Sequence, residues 1–277
     1  MASLETASFM AAIIGLGLSI VFGLWHFIVH EGLLTKKYGR VQKMAATLSL
    51  VAAASGLVFL TLSIAARATI TGHGPFSNMY EFSIAFSWGT VAMSLLFWWR
   101  YKTFAPSVFG FVIALVLLLF AYTLPSRPVP LVPALQQGIL LSSHVAAAVV
   151  AYGAFAIGFG AAVLYLLQVC RPVSWLPGLD ILDKLSYQTT IVGFFFMTLV
   201  IVLGALWADI AWGRYWGWDP KETASLVTWL LYASYLHARI MRGCRGTKTA
   251  ILLVVGFLAV LLTYFGNYFF EGLHGYR

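Results

Sequence analysis

Long apolar segments alternate with short polar ones along the chain, and charged residues concentrate between the apolar segments. Each apolar segment approaches the length of about 20 residues that an α-helix needs to cross a bilayer. The pattern predicts an all-α polytopic membrane protein with eight transmembrane helices, the fifth too long for one straight crossing. No break in composition divides it, so residues 1–277 are expected to form a single membrane domain. The predicted spans cover residues 8–30, 45–67, 81–99, 105–124, 139–169, 188–209, 222–241 and 250–270.

The composition supports this prediction, because 61% of the residues are hydrophobic and only 9% are charged. A soluble domain of this length carries more charge to hydrate its surface. The N-terminus lacks the basic start of a cleavable signal peptide, so we expect the first span to be retained. Cys170 and Cys244 form no CxxC pair, which argues against a disulfide or a thiolate metal site. No CxxCH motif occurs, so the chain has no site for attaching haem to itself.

The basic residues indicate an orientation. Twelve of the 17 follow the first, third, fifth and seventh spans. Because Lys and Arg mark cytoplasmic loops, both termini are predicted on the outer side, together with an external segment at 210–222. The net charge of +8 is therefore not a sign of nucleic-acid binding. We expect a bacterial inner (cytoplasmic) membrane whose active side faces the periplasm or exterior, and a thylakoid membrane would look the same.

Four histidines suggest metal ligation. His144 and His274 are predicted near the outer face, whereas His237 and His26 lie deeper in their spans by the rise of about 1.5 Å per residue. Each alone is explained equally well as a polar residue at a membrane interface. Together they suggest haem, because neutral imidazoles bind haem iron from opposite faces. Zinc usually takes three or four close ligands, and no such set is evident. Basic residues available for the haem propionates are Arg127, Arg214, Lys221 and Arg277.

The segment 212-WGRYWGWDPKE-222 is the most specific motif. An aromatic belt explains isolated tryptophans, but not this alternation with glycine. Its end predicts a helix start, with Asp219 as N-cap, Pro220 at the first position and Glu222 completing a capping box. An extended run would place the indoles of Trp216 and Trp218 on one side, where they could stack on a planar macrocycle. The candidate cofactor-binding residues are Trp212, Arg214, Trp216, Gly217, Trp218, Asp219, Pro220, Lys221 and Glu222.

A second outer loop, 72-GHGPFSNMYEF-82, supplies weaker candidates. Its glycines and proline favour a tight turn. His73, Asn78 and Glu81 would then lie near the start of the third span. A simple connecting loop explains the same residues equally well.

The motif WGxxWGWDPKE resembles the tryptophan-rich WWD signature of the haem-handling proteins of cytochrome c maturation. With eight spans and His237, the chain is similar to the CcsA (ResC) family of System II, from the 72–82 loop to the C-terminus. The resemblance implies that His144 and His274 ligate the iron of an outer haem and that His237 ligates an inner haem. It also implies that a CcsB (ResB) partner supplies the opposite inner ligand, with His26 as a weaker alternative. No catalytic residue is assigned.

The resemblance further implies a function. The chain would move haem b, its transported substrate, to the outer face and position it for attachment to the CxxCH motif of an apocytochrome c, as a subunit of a cytochrome c haem lyase (synthetase). One alternative is a carrier like CcmC that loads a haem chaperone, although such carriers usually have six spans and lack the inner histidine. Another is a transporter of a different planar or amphipathic molecule, with tryptophans lining its exit.

Overall fold

The computed structural model describes residues 1–32, 39–74, 77–127 and 138–269. Across these ranges the chain forms eight α-helices, which confirms the prediction of an all-α fold. The predicted spans correspond to the helices in order. The sixth helix begins nine residues before its predicted span, at Leu179. The helices are α1 Ala2–Gly32, α2 Gly39–Thr71, α3 Met79–Tyr101, α4 Phe104–Tyr122, α5 Gly138–Cys170, α6 Leu179–Trp212, α7 Pro220–Arg242 and α8 Thr247–Phe269.

Seven of the helices in the described ranges are long and apolar enough to cross a membrane, which confirms a polytopic membrane protein. The exception is α7, whose ends carry charged residues, among them Glu222 and Arg242. Helices α5 and α6, which both contribute to the candidate site, are longer than a single crossing of the membrane requires. Helix α5 has 33 residues and α6 has 34. At a rise of about 1.5 Å per residue each measures roughly 50 Å, longer than the bilayer hydrocarbon of about 30 Å.

Helix α5 lies at the centre of the bundle and is the most buried of the candidate spans. It packs against α3, α4, α6 and α8, while α1 and α2 form a pair on the α3–α4 side. Its buried positions are mainly alanine, glycine and other small or apolar residues. Lipid tails are as apolar as leucine, so membrane helices associate by close packing, which small side chains allow.

The crossing of α3 and α5 is close enough to require glycine. A Cβ atom on Gly89 would lie 2.7 Å from the carbonyl oxygen of Val149. On the other helix, a Cβ atom on Gly153 would lie 2.8 Å from the carbonyl oxygen of Gly89. Backbone atoms cannot yield as a flexible side chain does. The two glycines therefore fix the separation of α3 and α5.

Side-chain hydrogen bonds attach the more polar α7 to its neighbours. The indole Nε1 of Trp229 donates to Oγ1 of Thr198 in α6 at 2.9 Å. The hydroxyls of Thr228 and Thr263 in α8 are 3.0 Å apart and share a hydrogen bond. Near its other end, Arg239 forms a two-bonded ion pair with Asp183 of α6. Helix α7 thus joins the bundle partly through polar bonds, which are available to it because it is less apolar than the other helices.

Three connections meet at one end of the bundle, which we call the tryptophan end. They precede α3, follow α4 and join α6 to α7, the last comprising residues 213–219. The described basic residues near the other connections lie at the opposite end, including Arg100, Arg171 and Arg245. The helix order therefore keeps the two groups of loops apart.

We predict that Gly89→Ala destabilises the folded protein. The added methyl group meets backbone atoms of α5, and overpacking of this kind costs about 1–3 kcal/mol. Thermal unfolding in detergent, followed by light scattering or tryptophan fluorescence, measures the change. Gly17→Ala is the matched control, because nothing lies within 4 Å of a Cβ atom at that position in α1. Equal unfolding temperatures for the two variants would contradict the close crossing.

Candidate functional site

A cavity of about 590 Å³ opens at the tryptophan end. Its volume falls within the range of roughly 300–1,000 Å³ that is common for cofactor and ligand sites. Helices α3, α5, α6, α7 and α8 contribute to its wall, together with the connections before α3, after α4 and after α6. Polar and aromatic residues on this wall include Ser77, Asn78, Tyr80, Phe82, Phe86, Arg127, His144, Tyr152, Tyr215, Trp216, Lys221, Glu222, Ser225 and Tyr264.

His144 lies on the cavity wall in the tautomer suited to metal binding. Its Nδ1 is 2.9 Å from the backbone carbonyl oxygen of Val200 in α6. A carbonyl oxygen only accepts hydrogen bonds, so Nδ1 donates, and in the neutral imidazole the lone pair is then on Nε2. Histidines that ligate metals commonly have their other ring nitrogen held in this way by a backbone carbonyl.

Gly204 lets the His144 ring approach α6. A Cβ atom on Gly204 would lie 2.9 Å from Cε1 and 3.2 Å from Nδ1 of that ring. Contacts this short require the ring to move. Val200 and Gly204 lie one turn apart on the same helix, so one fixes the ring's hydrogen bond and the other leaves room for it.

Aromatic rings form the deeper wall of the cavity. Phe86 stacks with Tyr152 of α5 at 5.1 Å between centroids, and it meets Tyr264 of α8 edge to face at 5.3 Å. The Tyr264 hydroxyl is 2.6 Å from the Ser83 hydroxyl, which joins α8 to α3. The result is a largely apolar space bounded by flat side chains, which suits a planar hydrophobic ligand.

The tryptophan segment, residues 212–222, ends in the capping box predicted from the sequence. Asp219 precedes α7 and its Oδ1 accepts a hydrogen bond from the Lys221 amide at 2.9 Å. Oε2 of Glu222 accepts from two amides, that of Gly217 at 2.8 Å and that of Asp219 at 3.1 Å. One carboxylate oxygen therefore holds the backbone on both sides of Trp218.

This arrangement changes the predicted geometry of the indoles. Trp218 has a φ angle of +55°, in the left-handed region, so the run is not extended there and the condition for placing both indoles on one side is not met. The rings of Trp216 and Trp218 meet edge to face, 5.7 Å apart and 88° between planes. Trp216 lines the cavity, whereas the side chain of Trp218 is 70% exposed. Their two ring faces do not form a common stacking surface.

Two further candidates of the segment, Trp212 and Arg214, do not line the cavity. Trp212 belongs to the last turn of α6 and packs edge to face on Trp207 at 4.7 Å. The guanidinium of Arg214 lies over Gly217, since a Cβ atom on Gly217 would be 2.8 Å from Cζ of Arg214. Since residues 210–212 continue α6 and 220–222 begin α7, the connecting loop is shorter than the predicted segment.

Lys221 lies on the cavity wall and carries an amine that is positive when protonated. In the sequence it comes one residue before the predicted seventh span. Its Nζ lies 5.4 Å from the ring centroid of Phe82, at a distance typical of a cation–π contact. Burial lowers the pKa of the Lys221 amine from its usual 10.5 to about 8, and the negative charge of Asp219 opposes this shift only in part. The amine therefore changes charge near neutral pH.

The other predicted histidines lie elsewhere. His237 is exposed on α7, in a hollow whose lining residues all belong to that helix. Nδ1 of His26 is 3.0 Å from the carbonyl oxygen of Gln42, and its ring packs on Phe104. Helix α1 packs on α2 and α4, and α7 packs on α6 and α8, so the structure does not bring His26 and His237 together. His274 and Arg277 lie outside the described residues.

The three weaker candidates separate in the structure. Asn78 caps α3, accepts from the Glu81 amide at 3.0 Å and lines the cavity. Glu81 is fully buried and binds Arg67 of α2. His73 makes a local bond from Nδ1 to the carbonyl oxygen of Gly74. Of these three, only Asn78 lines the cavity.

Several residues at or near the site were not among the sequence candidates. Gly204, Tyr152 and Arg67 each act through packing between distant helices, and no local motif marks them. The sequence does mark the part of the wall at the start of α3, because Asn78 and Glu81, which were among the weaker candidates, have the spacing of a helix N-terminus.

The chain has extensive similarity to known proteins. A model of the family described as Cytochrome C assembly protein matches residues 76–274. The cytochrome c biogenesis protein CcsA of Chlamydomonas reinhardtii is 38% identical over 231 residues, covering 79% of this chain and 65% of that protein. CcsA of Prochlorococcus marinus is 36% identical over 250 residues, covering 78% of this chain and 80% of the relative.

A solved structure also has a similar fold. It is that of the cytochrome c haem lyase CcmF, with a TM-score of 0.69 and 18% identity. The similarity covers 95% of this chain and 46% of that one. At this identity the likeness concerns the fold alone. The chain spans just under two thirds of the algal CcsA and less than half of the CcmF chain.

We predict that Glu222→Ala loosens the tryptophan segment. The amides of Gly217 and Asp219 lose a charged acceptor, and bonds of this kind contribute about 1.5–3 kcal/mol. Their hydrogen exchange should accelerate by roughly tenfold or more, since 1.4 kcal/mol corresponds to a factor of ten. Exchange mass spectrometry on residues 213–219 measures this. Glu222→Gln keeps an acceptor oxygen and should show a smaller increase; an unchanged segment in Glu222→Ala would contradict the assignment.

Proposed function

This chain belongs to the cytochrome c assembly protein family, and on that basis we propose that it presents haem at the tryptophan end for covalent attachment to an apocytochrome c. The observation that carries the proposal is the position of His144. Its Nε2 has the lone pair that iron requires, and its side chain borders a largely apolar cavity beside the tryptophan segment. Haem is the substrate in this scheme, and the protein supplies its orientation.

Within the cavity, His144 is the proposed first axial ligand of the iron. His274 is the proposed second, as the family resemblance implies. The aromatic wall formed by Phe86, Tyr152 and Tyr264 would contact the flat faces of the ring. The hydrogen bond to Val200 would hold the imidazole at a fixed angle to the ring plane.

Two cations on the cavity wall are the proposed partners of the haem propionates. Arg127 follows α4 and is exposed, whereas Lys221 lies beside Phe82. A propionate reaching either would form a charge-assisted hydrogen bond. Trp216 would lie along a remaining edge of the ring. Arg214 does not line the cavity and is not included.

Attachment would then occur on the exposed side of the cavity. Each thiol of the CxxCH motif adds across one vinyl group, so that sulfur bonds to one vinyl carbon and the hydrogen goes to the other. No electrons are gained or lost overall. The histidine of CxxCH would replace one axial ligand, which would release the product. Holding the vinyl groups and the thiols in reach of each other is the protein's main contribution.

His237 is the proposed ligand of a second haem, on the route to the outer site. It faces outward on α7, with Leu230, Ser234 and Arg242 around it. Since the described residues that line this hollow all belong to α7, we assign the opposite ligand to a protein outside this chain. A CcsB-like partner would supply it, in agreement with the resemblance. His26 packs in a different part of the bundle and is the less favoured ligand.

The proposed orientation places the tryptophan end on the periplasmic or luminal side of the membrane. It rests on the separation of basic residues between the two ends of the bundle. The substrate protein would dock there. The clustered tryptophans would also lie at the depth where indole rings are favoured in membranes.

We predict that the purified full-length protein, with any co-purifying partner, has the absorption spectrum of low-spin haem with two histidine ligands. His144→Ala and His274→Ala should each perturb that spectrum, because one axial ligand is lost, and added imidazole should restore it. Gly204→Ala should shift it more weakly, because the ring moves but remains present. His237→Ala should lower the total haem content, because that site lies earlier on the route.

The control is Gly17→Ala, in α1, where nothing crowds an added Cβ atom. It should leave both spectrum and haem content unchanged. If wild-type protein carries no haem and all variants have the same spectrum, the cavity serves another ligand and the proposal is wrong. Co-purification of a small haem chaperone rather than a CcsB-like subunit would instead support a carrier.

We predict that haem affinity falls as the pH rises through about 8. Lys221 is charged below its pKa of about 8 and neutral above it, so its attraction for a propionate is lost at alkaline pH. One linked proton changes affinity by roughly tenfold per pH unit at most. Titrating the protein with haem between about pH 7 and pH 9 measures the change, in a range below the ordinary lysine pKa of about 10.4.

Lys221→Arg is the matched control, because arginine stays charged over this interval. Its affinity should vary less with pH, whereas Lys221→Met should bind haem weakly at every pH. A pH dependence that is unchanged in Lys221→Arg would show that another group titrates.

A further inference from the structure

A buried group of charges lies beside the cavity without lining it as a whole. Arg67 of α2 is 2% exposed, Glu81 of α3 is 0% exposed and Glu5 of α1 is 7% exposed. Nε of Arg67 is 2.9 Å from Oε1 of Glu81, and its Nη1 is 3.4 Å from Oε1 of Glu5. Its guanidinium also lies 5.3 Å from the ring centroid of Tyr80. We call these four residues the Arg67 cluster.

The cluster extends to both connections that flank the cavity mouth. Nη1 of Arg67 also donates to the backbone carbonyl oxygen of Ser126, next to the cavity residue Arg127. The second oxygen of Glu81 accepts from the amide of Ser77 at 2.9 Å and from its hydroxyl at 2.7 Å. Ser77 lines the cavity. One guanidinium therefore reaches the wall on two sides.

Stability alone does not account for these buried charges. Removing ions from water is costly, and a buried pair is often replaceable by apolar residues without loss of stability. The planar guanidinium of arginine instead fixes the directions of its hydrogen bonds, because its N–H donors hold their acceptors at set angles. Here one acceptor, the Ser126 carbonyl oxygen, belongs to the connection after α4, and a second, Glu81, binds Ser77 in the connection before α3. The cluster is thus suited to hold the two connections at a constant distance.

We propose that Arg67 is a positioning residue for the haem site, which couples the α1–α2 pair to the cavity. This inference rests on the proposed function. Arg67 precedes the segment 76–274 that the family model matches, yet it binds Glu81 and the carbonyl oxygen of Ser126 within that segment. Loss of Arg67 lets both connections move, so that the cavity wall formed by Ser77 and Arg127 no longer keeps its shape.

The experiment compares Arg67→Met, Arg67→Lys and the wild type as full-length proteins in detergent. The matched control is Ser49→Ala. It removes a buried hydrogen bond of the same α1–α2 interface, from the Ser49 hydroxyl to the Ser19 carbonyl oxygen at 2.7 Å, without touching the cluster. Two measurements are made on each: hydrogen exchange of residues 77–82 and 124–127 without haem, and haem affinity with the spectrum of the bound form.

In Arg67→Met, exchange in both segments should accelerate. Haem affinity should weaken by roughly tenfold and the spectrum should change. Losses of this size are typical when a residue that holds a metal ligand in place, without binding the metal itself, is replaced. Arg67→Lys, which keeps the charge but not the planar guanidinium, should fall between Arg67→Met and the wild type. Ser49→Ala should match the wild type in both. If Arg67→Met does not fold, Arg67→Lys decides the question.

Three results would overturn the proposal. Unchanged exchange would show that Arg67 does not hold the connections. Faster exchange with wild-type haem affinity would reduce the cluster to a structural role. An equal effect in Ser49→Ala would assign the change to general loosening of α1 and α2. Wild-type protein that binds no haem would overturn the proposed function, and the exchange data would still show whether Arg67 holds the two connections.

Discussion

The contact of α3 with α5 at backbone distance is the constraint on which the rest of the bundle depends. Because Gly89 and Gly153 leave no room for side chains, the separation of these helices is fixed. Helix α5 carries His144, and the first residues of α3 form another part of the cavity wall. The dimensions of the site are therefore set deep in the apolar interior, where neither helix can shift without the other.

Two kinds of interaction complete the site at the tryptophan end. Apolar contacts give it shape, through the rings of Phe86, Tyr152 and Tyr264. Charged side chains fix its connections, since Glu222 holds the tryptophan segment and Glu81 holds the loop before α3. In a membrane protein with so few charges, both carboxylates bind backbone amides. They thus replace the water that loops of soluble proteins use for the same purpose.

The sequence predicted much of this, and the similarity to CcsA proteins confirms the resemblance recognised in the tryptophan motif. Spans follow from apolar length, and the capping box follows from local spacing, so α7 begins where predicted. The conformation of Trp218 did not follow. Its neighbours' amides converge on one oxygen of Glu222, which demands a turn that no pattern of residue types reveals. Gly204 and Arg67 likewise depend on contacts between helices far apart in the chain.

The Arg67 cluster bears on where the working unit of this protein begins. The family model matches the segment 76–274, which taken alone would suggest that α1 and α2 can be removed, whereas the CcsA relatives align over 78–79% of the chain. Yet Glu81, inside that segment, is buried against a cation outside it. A chain trimmed to the family boundary would leave this carboxylate without its partner, at a cost of about 3–5 kcal/mol for a broken buried pair. The boundary of the family model at residue 76 is therefore not a boundary of the folding unit.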